Sequence, residues 1–381
     1  VSVQVLENAE IVTADDRFRG YVVAADGVIR EVGSGRAPEK GVDLGGDYLL
    51  PGLVELHTDH LEAHYMPRPK VEWNAASAVL SYDAQIAASG ITTVFDSLRI
   101  GIDEHENRAG FGGMVFEFAE TIAEAGRLGH LKAEHLTHLR CEVPAHDAVN
   151  TLVAFLERFP VRLLSLMDHT PGQRQFRDIE KYFIYYGGKT GKSHAEMLEV
   201  VRRRQSTGAA RAAANRPAVA AIARERGIKL ASHDDTTVEE VAASVAEGVT
   251  VAEFPTTLES AVASREAGMA TVMGAPNVVR GGSHSGNIAA RRLADAGMLD
   301  ILSSDYVPAS LLLGAFQLAS SPGVEGLPGA IRLVARNPAH ALGLPDRGEI
   351  APGKRADLLR VGMMGEQPVI REVWREGRRV A

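Results

Sequence analysis

The sequence predicts an α/β protein built on a (β/α)8 barrel, with a small β-sandwich formed by both chain ends. Three observations lead there. Between residues 51 and 344, short apolar strands alternate with helical patterns, the order of a parallel sheet with crossover helices. Eight such strands can be marked, the number a closed barrel of this type requires. Residues 1–50 and 345–381 are β-rich instead, so the two ends are expected to build one smaller module.

Taken in order, Ser2 to Leu6 alternates, Ala9 to Thr13 is apolar, and Tyr21 to Ala25 runs into an Asp26-Gly27 hairpin signal before Val28 to Val32. The first barrel strand, 52–57, leaves a Pro51-Gly52 turn and closes on His57. The next seven are Thr92–Asp96, Leu136–Glu142, Val161–His169, Ile228–Ser232, Thr250–Phe254, Ala270–Gly274 and Asp300–Ser304. Helical patterns lie between them at 113–127, 145–158, 236–246, 258–267 and 287–298. Residues 170–227 break the rhythm, running from Pro171-Gly172-Gln173-Arg174 through an aromatic and basic stretch into a long Ala/Arg-rich helix. An insertion of that length after a barrel strand belongs on the active-site face. The chain then returns to strands around a Pro352-Gly353-Lys354 turn.

With 381 residues and 45% hydrophobic content, the chain can bury a core of that size. A net charge of −8 argues against a nucleic-acid-binding surface, although it says nothing of one cleft. Cys141 is the only cysteine, which excludes an intrachain disulfide and a cysteine zinc site and favours a reducing compartment. No stretch reads as a signal peptide or a bilayer span, so a cytoplasmic protein without a membrane partner is expected. Homo-oligomerisation is left open.

The chemistry concentrates at strand ends. His57 and Asp59 stand two residues apart, so a strand sends both to one face, as two ligands of a divalent cation require. Further carboxylates and imidazoles close the other strands: Asp96, Glu142, Asp168 with His169, His233 with Asp234 and Asp235, Glu253, and Asp305. Singly, each has a plain structural role, and Asp234 or Asp235 could cap the helix that starts near Val238. Jointly, so many acidic groups around one mouth would repel without cations between them.

Two further signals suggest an anionic ligand. The run Gly274 to Asn287 follows strand seven, where barrels commonly cradle phosphate, and it offers Arg280, Ser283 and His284. Arg68, Lys70, Arg174, Arg177, Lys181, Lys189 and Lys192 add positive charge on segments expected to overhang the mouth. Neither a Walker A loop nor a Rossmann fingerprint is present.

The stretch Pro51-Gly52-Leu53-Val54-Glu55-Leu56-His57-Thr58-Asp59 and the tail Gly353-Lys354-Arg355-Ala356-Asp357-Leu358 resemble the amidohydrolase superfamily of metal-dependent hydrolases. Longer blocks narrow the likeness: His138 to Glu142, Ser165 to Gln175, Ala231 to Asp235, Ala252 to Thr257, Gly274 to Asn287, and Ser303 to Tyr306. They are similar to the phosphonate-metabolism (PhnM) family. That resemblance implies a diphosphatase of the carbon–phosphorus lyase route, releasing pyrophosphate from α-D-ribose 1-methylphosphonate 5-triphosphate. It also implies one or two divalent ions, zinc ahead of manganese, iron or nickel, held by His57, Asp59, Glu142, His169, His233 and Asp305. Asp305 is then the general base, while Arg68, Arg174, Lys189, Arg280, Ser283 and His284 meet the substrate's phosphates. Glu253 competes with His169 for a place in the ligand set, and His60 stands where an amide is expected.

Three other readings compete. A metal-dependent amidase or cyclic-amide hydrolase would need no phosphate cradle, a scaffold barrel no ligating strand ends, and a nucleotide-binding regulator no hydrolytic base.

Overall fold

The computed structural model of the protein describes residues 3–68, 71–101, 111–172, 174, 183, 193–283 and 286–381. It opens with an antiparallel meander of β1 (Val3–Val12), β2 (Arg17–Ala25) and β3 (Val28–Ser34). Asp26 and Gly27 between β2 and β3 both hold positive φ, 53° and 77°, the geometry an Asp-Gly hairpin turn requires. Strands β4 (Val42–Asp43) and β5 (Tyr48–Pro51) then add to β1 in parallel.

At Gly52 the chain crosses from this sheet into the barrel. A Cβ there would lie 2.3 Å from Thr92 Oγ1, so only glycine lets the crossing pack so closely. The eight barrel strands are β6 (Leu53–Thr58), β7 (Ile91–Ile100), β8 (Glu134–Glu142), β9 (Leu163–Met167), β10 (Lys229–His233), β11 (Val251–Glu253), β12 (Ala270–Gly274) and β13 (Ile301–Ser303). They pair in parallel in chain order, and a bridge between Thr58 and Asp305 joins the last to the first. All eight lie within a few residues of the strands marked in the sequence, because each is an apolar run bounded by turn residues.

Val54, Leu56, Phe95, Leu163, Val251, Val272 and Ile301 form a buried layer of the barrel together with Ala339 and Leu342. A larger apolar shell joins the strands to the helices around them. The helices are α1 (Leu61–Tyr65), α2 (Ala75–Ala88), α3 (Phe111–Arg127), α4 (Ala148–Leu156), α5 (His194–Glu225), α6 (Val238–Ala246), α7 (Leu258–Glu266), α8 (Ala275–Arg280), α9 (Ala290–Asp295), α10 (Ser310–Leu318), α11 (Gly326–Arg332) and α12 (Arg336–Ala341). Helices α1, α2, α8, α10, α11 and α12 have no counterpart among the helical patterns marked in the sequence. Of these, α1, α8, α11 and α12 span 5, 6, 7 and 6 residues, too few for a helical period to show.

The chain ends in β14 (Leu358–Met364), β15 (Gln367–Arg375) and β16 (Arg378–Arg379), and β14 pairs with β5. Hydrogen bonds thus run through the terminal strands in the order β16-β15-β14-β5-β1-β2-β3, with β4 on β1. Leu6, Ile11, Val22, Ile29, Leu49, Leu358 and Trp374 give this module a core of its own. Among the described residues, no helix is long and apolar enough to cross a membrane.

Candidate active site

The barrel is stitched at its seam by a buried carboxylate rather than by a long ladder. Glu55 on β6 accepts from the backbone N–H of His57 at 2.7 Å, from Ser303 Oγ at 2.8 Å and from the Ser304 N–H. Burial pushes the Glu55 carboxyl up to about 7, with the backbone and serine hydrogen bonds opposing. Pairing of β6 with β7 shifts register between Glu55 and Thr58, an irregularity of the kind that re-aims side chains beside active sites. Asp305 N–H then donates to the His57 carbonyl at 3.1 Å, which places the first and last ligand candidates side by side.

Behind the mouth, Glu253 organises the imidazoles. Its carboxylate lies 3.1 Å from His57 Nδ1 and 3.2 Å from His233 Nδ1, and it accepts from Ser165 Oγ at 2.7 Å. His138 Nε2 is 3.6 Å away. Burial alone would raise this carboxyl, but the neighbouring imidazoles hold it well below the usual carboxylate range. As an acceptor, Glu253 makes each Nδ1 the protonated nitrogen and leaves Nε2 of both rings as the donor atom for a cation. The two rings stack with centroids 5.4 Å apart, and Phe254 packs edge-on against both. Burial pulls both imidazoles down. His57 stays below its ordinary value, whereas Asp234 and Glu253 carry His233 above it.

The open layer lies above, in a cavity of about 690 Å³ lined by His57, Asp59, Glu142, His169, His233 and Asp305. All six ligand candidates therefore face one space. His169 Nδ1 meets the Glu142 carboxylate in a very short contact. Burial would raise Glu142, yet His169 and then Arg99 hold it far below its ordinary value. Asp305 goes the other way: burial and the adjacent Asp59 push it up to about 7. Asp234, Phe254 and Asp305, each just past a strand, all hold positive φ of 58°, 55° and 54°. For a phenylalanine such a backbone is costly and tends to persist only where surrounding structure demands it. Asp234 Oδ2 is buried without a hydrogen-bond partner, and it lies in one compact group of donor atoms with His169 and His233. That donor set fits a divalent cation.

The phosphate candidates are distributed differently. Arg280 and Ser283 line the cavity. Half of their run is helical, since α8 begins directly after β12 and ends at Gly281 with φ 81°. The cradle is thus a short helix and a turn rather than a continuous glycine loop. Arg68 is exposed and is not among the cavity's lining residues. Arg174 is turned inward, donating to the His233 carbonyl at 2.8 Å and to Asp235 at 2.5 Å, so it braces a strand end. Asp235 also accepts from Ser244, and the N-cap of α6 is Thr237 rather than Asp234 or Asp235. Lys70, Lys189 and His284 lie outside the described residues, as do Arg177, Lys181 and Lys192.

Several contributors were not picked out from the sequence. Arg99 and Arg140 line the cavity, 3.5 Å from Glu142 and 3.2 Å from Asp59 respectively. Their position at the ends of β7 and β8 was the available signal. Glu55 and His138 lie inside the family-like blocks but carry no chemical signal of their own, because a strand-borne polar residue reads the same whether it faces solvent or a buried partner.

Comparison with known proteins places this architecture. The model of the amidohydrolase family matches residues 84–381. The chain is 47% identical over 383 residues to the alpha-D-ribose 1-methylphosphonate 5-triphosphate diphosphatase of Escherichia coli (strain K12), covering 99% of this chain and 100% of that protein. Among solved structures, N-acetyl-D-glucosamine-6-phosphate deacetylase from Mycobacterium smegmatis superposes with a TM-score of 0.62 at 16% identity, over 99% of this chain and 100% of that one. A putative prolidase from Bifidobacterium longum gives 0.64 at 19% identity, over 100% and 94%. At such identities the two structures speak for the fold alone.

Proposed function

This chain belongs to the amidohydrolase family, and from that premise we propose that it hydrolyses α-D-ribose 1-methylphosphonate 5-triphosphate to the 5-phosphate and pyrophosphate. The observation that carries the reading is the convergence of His57, Asp59, Glu142, His169, His233 and Asp305 on one cavity flanked by Arg280 and Ser283. Those six residues would hold one or two divalent ions, zinc foremost, with manganese, iron or nickel as alternatives. A bound ion of this kind acidifies water and neutralises phosphate charge. Glu253 serves the site by orienting His57 and His233, not as a ligand, because its oxygens are already engaged by their Nδ1 atoms and by Ser165.

Asp305 takes the proton of the attacking water. Its carboxylate lines the cavity, and its backbone N–H is held by the His57 carbonyl at 3.1 Å, which places it beside the first ligand candidate to accept that proton. The water oxygen forms the new bond to phosphorus as the anhydride oxygen leaves with pyrophosphate. Arg99, Arg140 and Arg280 face the cavity from different sides and offset the charge of the bound substrate's anionic groups. Residues 51–344 act as the catalytic unit, and 1–50 with 345–381 as a small sandwich module attached to it. The enzyme works on a small phosphorylated ribosyl phosphonate, in the cytoplasm.

Metal-loaded protein incubated with the ribosyl triphosphate should release pyrophosphate, followed by phosphorus NMR. No release from it, alongside turnover of a cyclic amide, would overturn the assignment. Asp305→Asn should lower turnover by at least about 100-fold while leaving the fold intact. An active Asp305→Asn enzyme refutes that residue as the base.

A further inference from the structure

A second pocket opens off the main cavity on the side away from Arg280. Arg99, Glu142 and His169 line both spaces, so the two are continuous. Half of the remaining wall comes from the insertion helix α5, as Arg204, Thr207, Gly208 and Arg211, and the rest from Gly101, Pro144, Ala145 and Thr170. The α5 residues are positions i, i+3, i+4 and i+7, so one helical face delivers two guanidinium groups and a hydroxyl to one spot.

The helix is fastened for close approach. Asn215 Nδ2 donates to the carbonyls of Val143 and Ala145, both at 2.9 Å, and Gln205 Nε2 donates to the Pro171 carbonyl at 3.0 Å. A glycine inside a helix costs about 1 kcal/mol relative to alanine. Its use at Gly208 has a steric reason, since a Cβ there would stand 3.1 Å from Thr170 Oγ1. The docked face thus carries Arg204 and Arg211 towards Arg99. The pocket holds about 40 Å³, enough for about three water-sized groups and so for the oxygens of one phosphoryl or phosphonate group.

Position in the barrel gives the pocket its meaning. Glu142 ends strand three, and α8 with Arg280 follows strand seven, so the two basic flanks stand on opposite sides of an eight-stranded mouth. A ligand anchored at both flanks must be anionic at both ends. We propose that Arg99, Arg204 and Arg211 form a second anion subsite that grips a phosphoryl-type group of the substrate, across the mouth from the Arg280 flank. The proposal rests on the diphosphatase reading, whose substrate carries a triphosphate at one end and a phosphonate at the other.

Calorimetric titration of metal-loaded protein with inorganic pyrophosphate and, separately, with methylphosphonate tests it. In an Arg204→Met, Arg211→Met double variant, affinity for one of the two probes should fall about tenfold per arginine while the other changes less than about twofold. The salt dependence of the affected probe should weaken too, and Arg204→Lys with Arg211→Lys should recover most of the loss. Loss confined to pyrophosphate assigns the pocket to the phosphate chain, and loss confined to methylphosphonate assigns it to the far end. Unchanged binding of both probes overturns the subsite. So does joint loss with falling metal content or melting temperature, which would make these arginines structural. Failure of the diphosphatase reading shows elsewhere, as wild-type protein that binds the probes yet releases no pyrophosphate from the ribosyl triphosphate.

Discussion

The layer around Glu253 and the layer around Asp305 sit one above the other at the same barrel end and use the same residue types, yet they balance differently. In the lower layer, both buried carboxylates have counterparts: Glu253 is met by His57, His233 and Ser165, and Glu55 by Ser303 and two backbone N–H groups. In the upper layer, among the described residues, the carboxylates of Asp59, Glu62, Glu142, Asp234 and Asp305 face the guanidinium groups of Arg99, Arg140 and Arg280 alone. Burial and the adjacent Asp59 raise the cost of ionising Asp305, and Asp234 Oδ2 is left without a hydrogen bond. A satisfied buried network rigidifies, while a surplus of carboxylate oxygen leaves a site for a cation to complete.

Breaking the lower layer should have the largest effect on metal affinity. Glu253→Gln replaces the acceptor that fixes both histidine tautomers, and loss of such an outer partner typically costs 10–100-fold in metal affinity or activity. Elemental analysis after gel filtration, with turnover measured in parallel, checks this; a fully metallated, fully active variant would contradict the division into layers.

Buried carboxyls and buried imidazoles should also differ in their response to pH. Asp305 has a folded value of about 7, above the ordinary 3.8, so the folded state holds its proton more tightly than the unfolded chain does. Chelator-stripped protein should therefore lose stability as pH rises from about 4 to about 7, by several degrees in melting temperature, and Asp305→Asn should reduce that slope, with Glu55, also lifted to about 7, supplying the remainder. His135 illustrates the matched type. It is held between Asp83 and Asp96, and those carboxylates overcome burial to lift it to about 9. Its contribution is fully present below about 6.5 and is lost only as pH climbs through about 9. Thermal melts from pH 6 to 10 of wild type and His135→Gln should differ in slope over that range, and identical slopes would argue against a charged His135.

The smallest effect is expected at Ser165. Ser165→Ala removes one of three hydrogen bonds to Glu253 and should cost about 1 kcal/mol, with less than tenfold loss of metal affinity. A larger loss would show that Ser165, rather than the histidine pair, sets the orientation of Glu253.

The barrel was legible because its eight strands are apolar runs between turn residues, and parallel strands buried on both faces need no finer pattern. The six ligand candidates were legible because strand ends in such a barrel must gather at one mouth. The phosphate-binding candidates were less so. Charge on a loop carries no direction, and Arg174 turned inward to Asp235 while Arg99 and Arg140, borne on strands, turned to the cavity. Helices rich in alanine and glycine, such as α2 and α11, also escaped notice.

By itself, then, the sequence determined the order of elements, the barrel and the set of groups that could meet a cation, since periodicity and strand-end position are local properties. Only the tertiary structure decided which of those groups point at one another. The division between Glu253 as orienting acceptor and Asp305 as raised carboxyl depends on burial and on neighbours 20 or more residues away in the chain, and no local pattern encodes either.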